Sequence, residues 1–313
     1  VQINKKKIFD FIFLSLTSIA ALSVGLLILG ILYVLISESS LAIKKFGFID
    51  FLTSADWNPV KESFGALTSI YGTVVVTIIS LAIAVPIAIG IAIFVTEIAP
   101  NFIKTPIGIA IELLAAIPSI IFGFWGFFTF SPIMSKHVEP FLQKITADIP
   151  LIHYLFEGPT RGIDILTASI ILSIMIIPFT ASIARDSFNL VPNIVKESAY
   201  AVGSTKWEVI KDIILPYSKL GVAGGVLLSL GRAIGETMAV AFVLGNNHKI
   251  ATSLFQPATT ITVTLANEFA EADNDLYLSS LFYLSLILFV MSFLVLAISK
   301  YFLLKAQSAK GKL

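Results

Sequence analysis

No cysteine occurs among the 313 residues, which excludes both a disulfide framework and a thiolate metal site. Charge is nearly as scarce. Asp, Glu, Lys and Arg make up 13% of the chain, against about 25% in a soluble domain. The net charge of +1 leaves no broad basic surface for nucleic acid, and no nucleic-acid partner is expected. The three histidines, His137, His153 and His248, fall in separate predicted loops without HExxH or paired-ligand spacing. Each is read as a surface histidine, and no metal site is expected. A GxxxxGK[ST] loop is also missing, so the chain has no Walker cradle for nucleotide phosphates. With no nucleophile constellation either, it is not expected to be an enzyme on its own.

What the chain has in quantity is apolar sequence: 57% hydrophobic residues and a mean hydropathy of +0.93. That composition makes a polytopic, all-α membrane protein, read as a single domain over 1–313. About 20 apolar residues cross a bilayer core. Six stretches qualify: 11–36, 70–98, 105–131, 163–184, 217–245 and 276–304. The first follows Lys5, Lys6 and Lys7 but is too long for a signal-peptide core, and it is read as a retained anchor. With the N terminus inside, thirteen of the 21 basic residues face the cytoplasm and seven face outward. That bias places both termini in the cytoplasm. Pro86, Pro118 and Pro178 each remove a backbone hydrogen bond within a span and are expected to bend it. Two outer loops, 37–69 and 132–162, carry Trp57 and several prolines and are expected to be ordered.

The cytoplasmic loop 187–216 is the least oily part of the chain. Glu197, Lys206, Glu208, Lys211 and Asp212 cannot sit in hydrocarbon, so the loop lies in water or against another protein. Ala199 and Ala201 favour helix and let another surface approach closely. Gly203 can turn the chain where a Cβ would be strained. Pro216 marks an entry or kink at the next element. The expectation is a short helix, a bend and a second helix lying across the membrane surface.

The fifth span has two small-x3-small spacings, Gly221/Gly225 and Gly231/Gly235, which make a flat strip on one helix face. Such a strip serves a subunit interface or a thin pore wall, or packs a helix of the same chain. Arg232 falls about 22 Å from the cytoplasmic end at ~1.5 Å per residue, well inside the core. An ionised group there costs at least ~2.5–3.5 kcal/mol. Glu236, four residues on, falls on the same helical face. The two either neutralise each other or hold a guanidinium fork, matched to phosphate oxygens, in a water-accessible path. Glu112, the other embedded acid, is read as capping or anchoring a helix.

Read at fixed spacing, Glu197-Ser198-Ala199, Gly203, Ile213 and Leu215-Pro216 resemble the EAA-x3-G-x9-I-x-LP loop of ABC-importer permeases, with Ser198 where Ala is usual. Tyr71-Gly72-Thr73, Glu112 to Ser119, Gly123-Phe124-Trp125-Gly126 and Arg232 to Val240 extend the likeness. Together they resemble the C-type permease family of phosphate-specific importers. The resemblance implies a type I ABC importer permease fold of six transmembrane helices with cytoplasmic EAA coupling helices. It implies ATPase contact through Glu197, Ser198, Ala199, Gly203, Ile213, Leu215 and Pro216. It puts Arg232, Glu236 and Thr237 in the substrate pathway. Pro86, Pro118, Ser119, Pro178, Gly225, Gly231 and Gly235 are read as kink or packing positions. The implied partners are an A-type permease forming a heterodimer, two ATPase subunits that bind the ATP and Mg, an extracytoplasmic phosphate-binding protein and phosphate itself. The implied setting is the bacterial inner membrane. A permease for phosphonate, sulfate or molybdate and an ion-driven secondary transporter are the alternative readings.

Overall fold

A computed structural model describes residues 2–310. Its helices, in chain order, are α1 (Gln2–Glu38), α2 (Ser40–Phe46), α3 (Phe48–Thr53), α4 (Leu67–Ile93), α5 (Asn101–Ala115), α6 (Ser119–Trp125), α7 (Ser131–Ile133) and α8 (Glu139–Thr146). There follow α9 (Pro150–His153), α10 (Ile165–Asn189), α11 (Asn193–Ala201), α12 (Lys206–Glu208), α13 (Leu215–Ile234), α14 (Met238–Ala241), α15 (Ile261–Glu268) and α16 (Asp275–Lys310). Among the described residues the only β pairing is two isolated bridges, Asn58 with Ser63 and Gly245 with Ala258. Five helices are long and apolar enough to cross a membrane. They contain α1, α4, α10, α13 and α16.

The third expected span, 105–131, is not one helix. Its two halves, α5 and α6, meet at 90° across the break before Ser119. Pro118 takes an extended conformation there, and a proline both lacks the N–H and disfavours helix at the residue before it. By contrast α4 continues through Pro86 and α10 through Pro178.

The hub is α10, which packs on α4, α5 and α13. Small residues make the close approach possible: Ala84 and Ala88 on α4, and Ala168, Ala181 and Ala184 on α10, are all essentially inaccessible. Hydroxyls then tie helix to helix. Ser80 Oγ donates to the Ser169 carbonyl at 2.9 Å, and the Thr180 and Ser229 hydroxyls lie 2.7 Å apart. At its N-terminal end Asp164 caps α10 by accepting the Thr167 N–H at 2.8 Å. A Cβ on Gly221 would lie 2.5 Å from Ser187 Oγ, and one on Gly225 would lie 2.7 Å from Ile183 Cγ2. The glycine strip of α13 therefore packs on α10 of the same chain. Gly231 turns toward Leu296 of α16.

The fifth expected span, 217–245, also stops early: α13 ends at Ile234. The chain then folds back over the N-terminal ends of α4 and α10. Leu254 and Gln256 carbonyls accept the N–H groups of Leu166 and Ile165, and Tyr71 Oη donates to the Ala251 carbonyl at 2.7 Å. The loop 37–69 is ordered around an aromatic cluster that includes Phe51, Trp57, Phe64, Tyr277 and Tyr283. His248 is not on the surface. It stacks on Trp57 and bonds Glu268 at 2.8 Å, while Glu268 also accepts from Trp57 Nε1 and Tyr277 Oη.

Candidate functional site: a helical handle and a lone cation

The loop 187–216 folds as a helix, a bend and a helix. Gly203 sits at φ +92°, a left-handed conformation that favours glycine, with open space around its missing Cβ. Its N–H bonds to Tyr200 and that of Ser204 to Ala199, which closes the end of α11. Thr205 and Glu208 form a capping box that starts α12. The helix then runs through a wide-turn segment, Val209–Ile214, into α13, with Pro216 in the first turn. Val209, Ile210 and Ile214 bury in one cluster with Ala92, Ala184, Phe188 and Val191, at the ends of α4 and α10.

On α11 itself only Ala199 is buried and only Lys196 is half-buried; Glu197, Ser198 and Tyr200 are exposed. Three residues apart, Lys196 and Ala199 share the inward face. Lys196 Nζ reaches Glu97 Oε1 at 2.6 Å, an ion pair between α11 and the wide turn that follows α4. Glu112 lies near the end of α5 and pairs with Arg185 of α10 at 2.9 Å, so it anchors one helix to another.

The expected Arg232–Glu236 pair does not form. Ending α13 at Ile234 removes the helical turn that would have stacked the two side chains. Glu236 instead accepts the Ala239 N–H at 3.2 Å, and its carbonyl accepts from Thr262 Oγ1 at 2.7 Å. Thr237 stands at the start of α14. Arg232 makes no ion pair among the described residues. Its guanidinium carbon lies 5.7 Å over the Phe179 ring, and its Nε is buried without a partner. Two terms hold the charge there, the ring's negative face and the negative end of the α13 dipole. Neither occupies the donor fork.

A buried pair of acids was not legible in the sequence. Glu139, at the start of α8, and Asp164, the cap of α10, are 25 positions apart and fully buried beside each other. Burial, then the neighbouring Asp164, pushes the Glu139 carboxyl up to about 8. Only the Asp164 cap carried a local signal; long-range contacts such as Glu97–Lys196 carry none.

This combination of parts is that of a membrane transport component. The chain belongs to the family described as binding-protein-dependent transport system inner membrane component, which it matches over residues 63–307. It is 52% identical over 302 residues to the phosphate transport system permease protein PstC of Mesorhizobium japonicum, covering 96% of this chain and 92% of that one. It is 48% identical to the PstC of Pasteurella multocida over 97% of this chain and 95% of the relative. Among solved structures it resembles a chain of the bacterial alginate ABC transporter in complex with alginate pentasaccharide-bound periplasmic protein. There the TM-score is 0.59 at 17% identity, over 91% of this chain and 93% of that one. A chain of the MetNI methionine ABC transporter, inward facing, gives 0.54 at 14% identity over 75% and 93%. These likenesses show the fold, that of type I ABC importer permeases.

Proposed function

We propose that this chain is the membrane permease subunit of an ATP-driven importer of inorganic phosphate. It forms half of the translocation pathway, paired with an A-type permease in the bacterial inner membrane, with both termini in the cytoplasm. An extracytoplasmic binding protein delivers phosphate, and two ATPase subunits carrying ATP and Mg dock on the loop around α11 and α12. The names of its relatives support the substrate. Support for the docking surface comes from Ile194, Val202 and Trp207, large apolar side chains exposed on a loop that otherwise carries charge. Apolar groups displayed that way mark an interaction site.

The observation that carries the pathway assignment is the guanidinium of Arg232, in the last turn of α13 where that span's helix stops, and in no ion pair among the described residues. A planar fork matches two oxygens of a tetrahedral anion. In a site of low dielectric that attraction exceeds its value in water. Closure of the ATPase dimer moves α11 and α12 and turns the helices outward, phosphate enters near Arg232, Glu236 and Thr237, and hydrolysis reopens the inner side.

The test is uptake of radiolabelled phosphate by proteoliposomes holding the full complex and its binding protein. Uptake should require ATP and be competed by phosphate but not by sulfate, molybdate or phosphonate. Uptake that follows an ion gradient without ATP overturns the reading. Equal competition by another oxyanion overturns the substrate.

A further inference from the structure

The ion pair between Lys196 and Glu97 joins two regions separated by 99 positions, and it is largely enclosed: the side chains are 16% and 11% exposed. Resting on the functional reading above, we infer that Lys196–Glu97 is the strut through which movement of the docking helix α11 is passed to the membrane helices. Neither residue touches substrate or ATPase in this scheme; both are positioning residues.

Three observations carry it. First, α11 has only two inward residues, and Ala199 presents a single methyl group. A methyl in van der Waals contact resists being pushed but not pulled, whereas an ion pair holds in both directions. Second, Glu97 sits in the wide turn Phe94–Ile98, where the regular hydrogen-bond ladder of α4 gives way before the extended Ala99 and Pro100. Such segments mark places where a helix can change direction. Third, the same turn is held from the other side by Lys104 of α5, whose Nζ donates to the Thr96 carbonyl at 2.7 Å. A displacement of Glu97 therefore acts on α4 and α5 together. The path continues, since α5 leads across the 90° break to α6, and α6 packs on α14, the helix that follows Glu236 and Thr237. Spatial continuity alone does not establish coupling, so the inference stands or falls on a measurement of coupling.

That measurement is phosphate moved per ATP hydrolysed by the reconstituted complex, with co-purification of the partners as the check on assembly. Glu97→Gln, Lys196→Met and the double variant should each assemble, hydrolyse ATP and move phosphate with a ratio lowered about ten-fold. The charge exchange Glu97→Lys with Lys196→Glu should recover most of the ratio. If the pair only neutralises itself, the double neutral variant will couple like the wild type, because no lone buried charge remains. That result overturns the inference, as does a charge exchange that assembles and stays uncoupled. Should the neutral variants fail to assemble, a second route works on the assembled complex. The chain has no cysteine of its own, so Glu97→Cys with Lys196→Cys can be bridged by a short bifunctional thiol reagent. Bridging should raise the ratio of the unbridged variant; no change overturns the strut. A wild-type complex that moves no phosphate on ATP overturns the functional reading and this inference with it. A coupled wild type beside a coupled double neutral variant overturns the inference alone.

Discussion

The surroundings of the loop 187–216 and the break after α13 treat charge in opposite ways. Around the coupling loop, Lys196 is matched to Glu97 and Arg185 to Glu112 and Asp186, each within 3.0 Å. At the break, Arg232 has an aromatic face and a helix terminus for company and, among the described residues, no carboxylate. A paired charge is satisfied and serves to hold two elements together. An unpaired guanidinium in a span is tolerated only where something else compensates it, and in a transport protein that partner can be the cargo. On the proposed reading, charge divides by role: the Lys196 and Arg185 pairs connect elements mechanically, and Arg232, in no ion pair among the described residues, meets the cargo.

Orientation gives the largest test of that contrast, because its outcome is all-or-none. Single cysteines introduced at exposed positions 148 and 271 should react in intact cells with a thiol reagent that cannot cross the membrane, and one at 206 should not. Labelling at 206 from outside would put the coupling loop on the wrong face.

Arg232 comes next. Arg232→Leu, alone or with Glu236→Leu, should assemble yet lose about 2–3 kcal/mol of anion interaction, roughly a 30–150-fold fall in phosphate uptake. Arg232→Lys should be impaired as well, since a point charge on a flexible stem lacks the fork. Near-wild-type uptake by the double variant would erase the distinction between the two regions.

Gly203→Asp should uncouple transport while leaving the chain in the membrane, because it adds charge and a Cβ at φ +92°. Gly203→Ala should cost only the left-handed strain, about 1–2 kcal/mol. Both are read by uptake and by ATPase co-purification. Unaltered uptake in the Asp variant would remove the bend from the docking surface.

Glu139 sharpens the comparison from the outer side. Its folded carboxyl titrates near 8 instead of 4.5, so the native state holds a proton that the unfolded chain releases. Its contribution to stability is fully present below about 4.5 and declines as pH rises toward 8. Glu139→Gln should flatten that part of the melting-temperature profile in detergent; an unchanged slope would assign it to other groups.

The smallest effect belongs to Glu112→Gln. Glu112 is more than half exposed and Arg185 keeps Asp186, so the loss should be about 0.2–1 kcal/mol, seen as a small drop in melting temperature. A large drop would mean that the exposed pair carries more than its setting suggests.

Much of this architecture is written in local sequence. The spans show because a bilayer demands long apolar runs, and the helix–bend–helix of 187–216 shows because Gly203 and the Thr205–Glu208 box act within a few residues. The break near Pro118 was legible as a bend, though not as a right angle. What the sequence could not decide were the events set by distant parts of the chain. The fifth span reads as apolar through position 245, yet the helix stops at Ile234 because the following segment finds its hydrogen bonds on α4, α10 and the loop before α10. That early stop undid the i, i+4 logic that joined Arg232 to Glu236. The partners of Lys196, His248 and Glu139 lie 20 to 99 positions away, where periodicity has no reach. Sequence alone determined that this is an all-helical membrane chain with a water-facing handle, since hydropathy and turn chemistry act over one or two turns. Which of the charges at Lys196, Arg185 and Arg232 find a carboxylate was decided only by tertiary packing, because Coulombic and hydrogen-bond partners are chosen by distance in space.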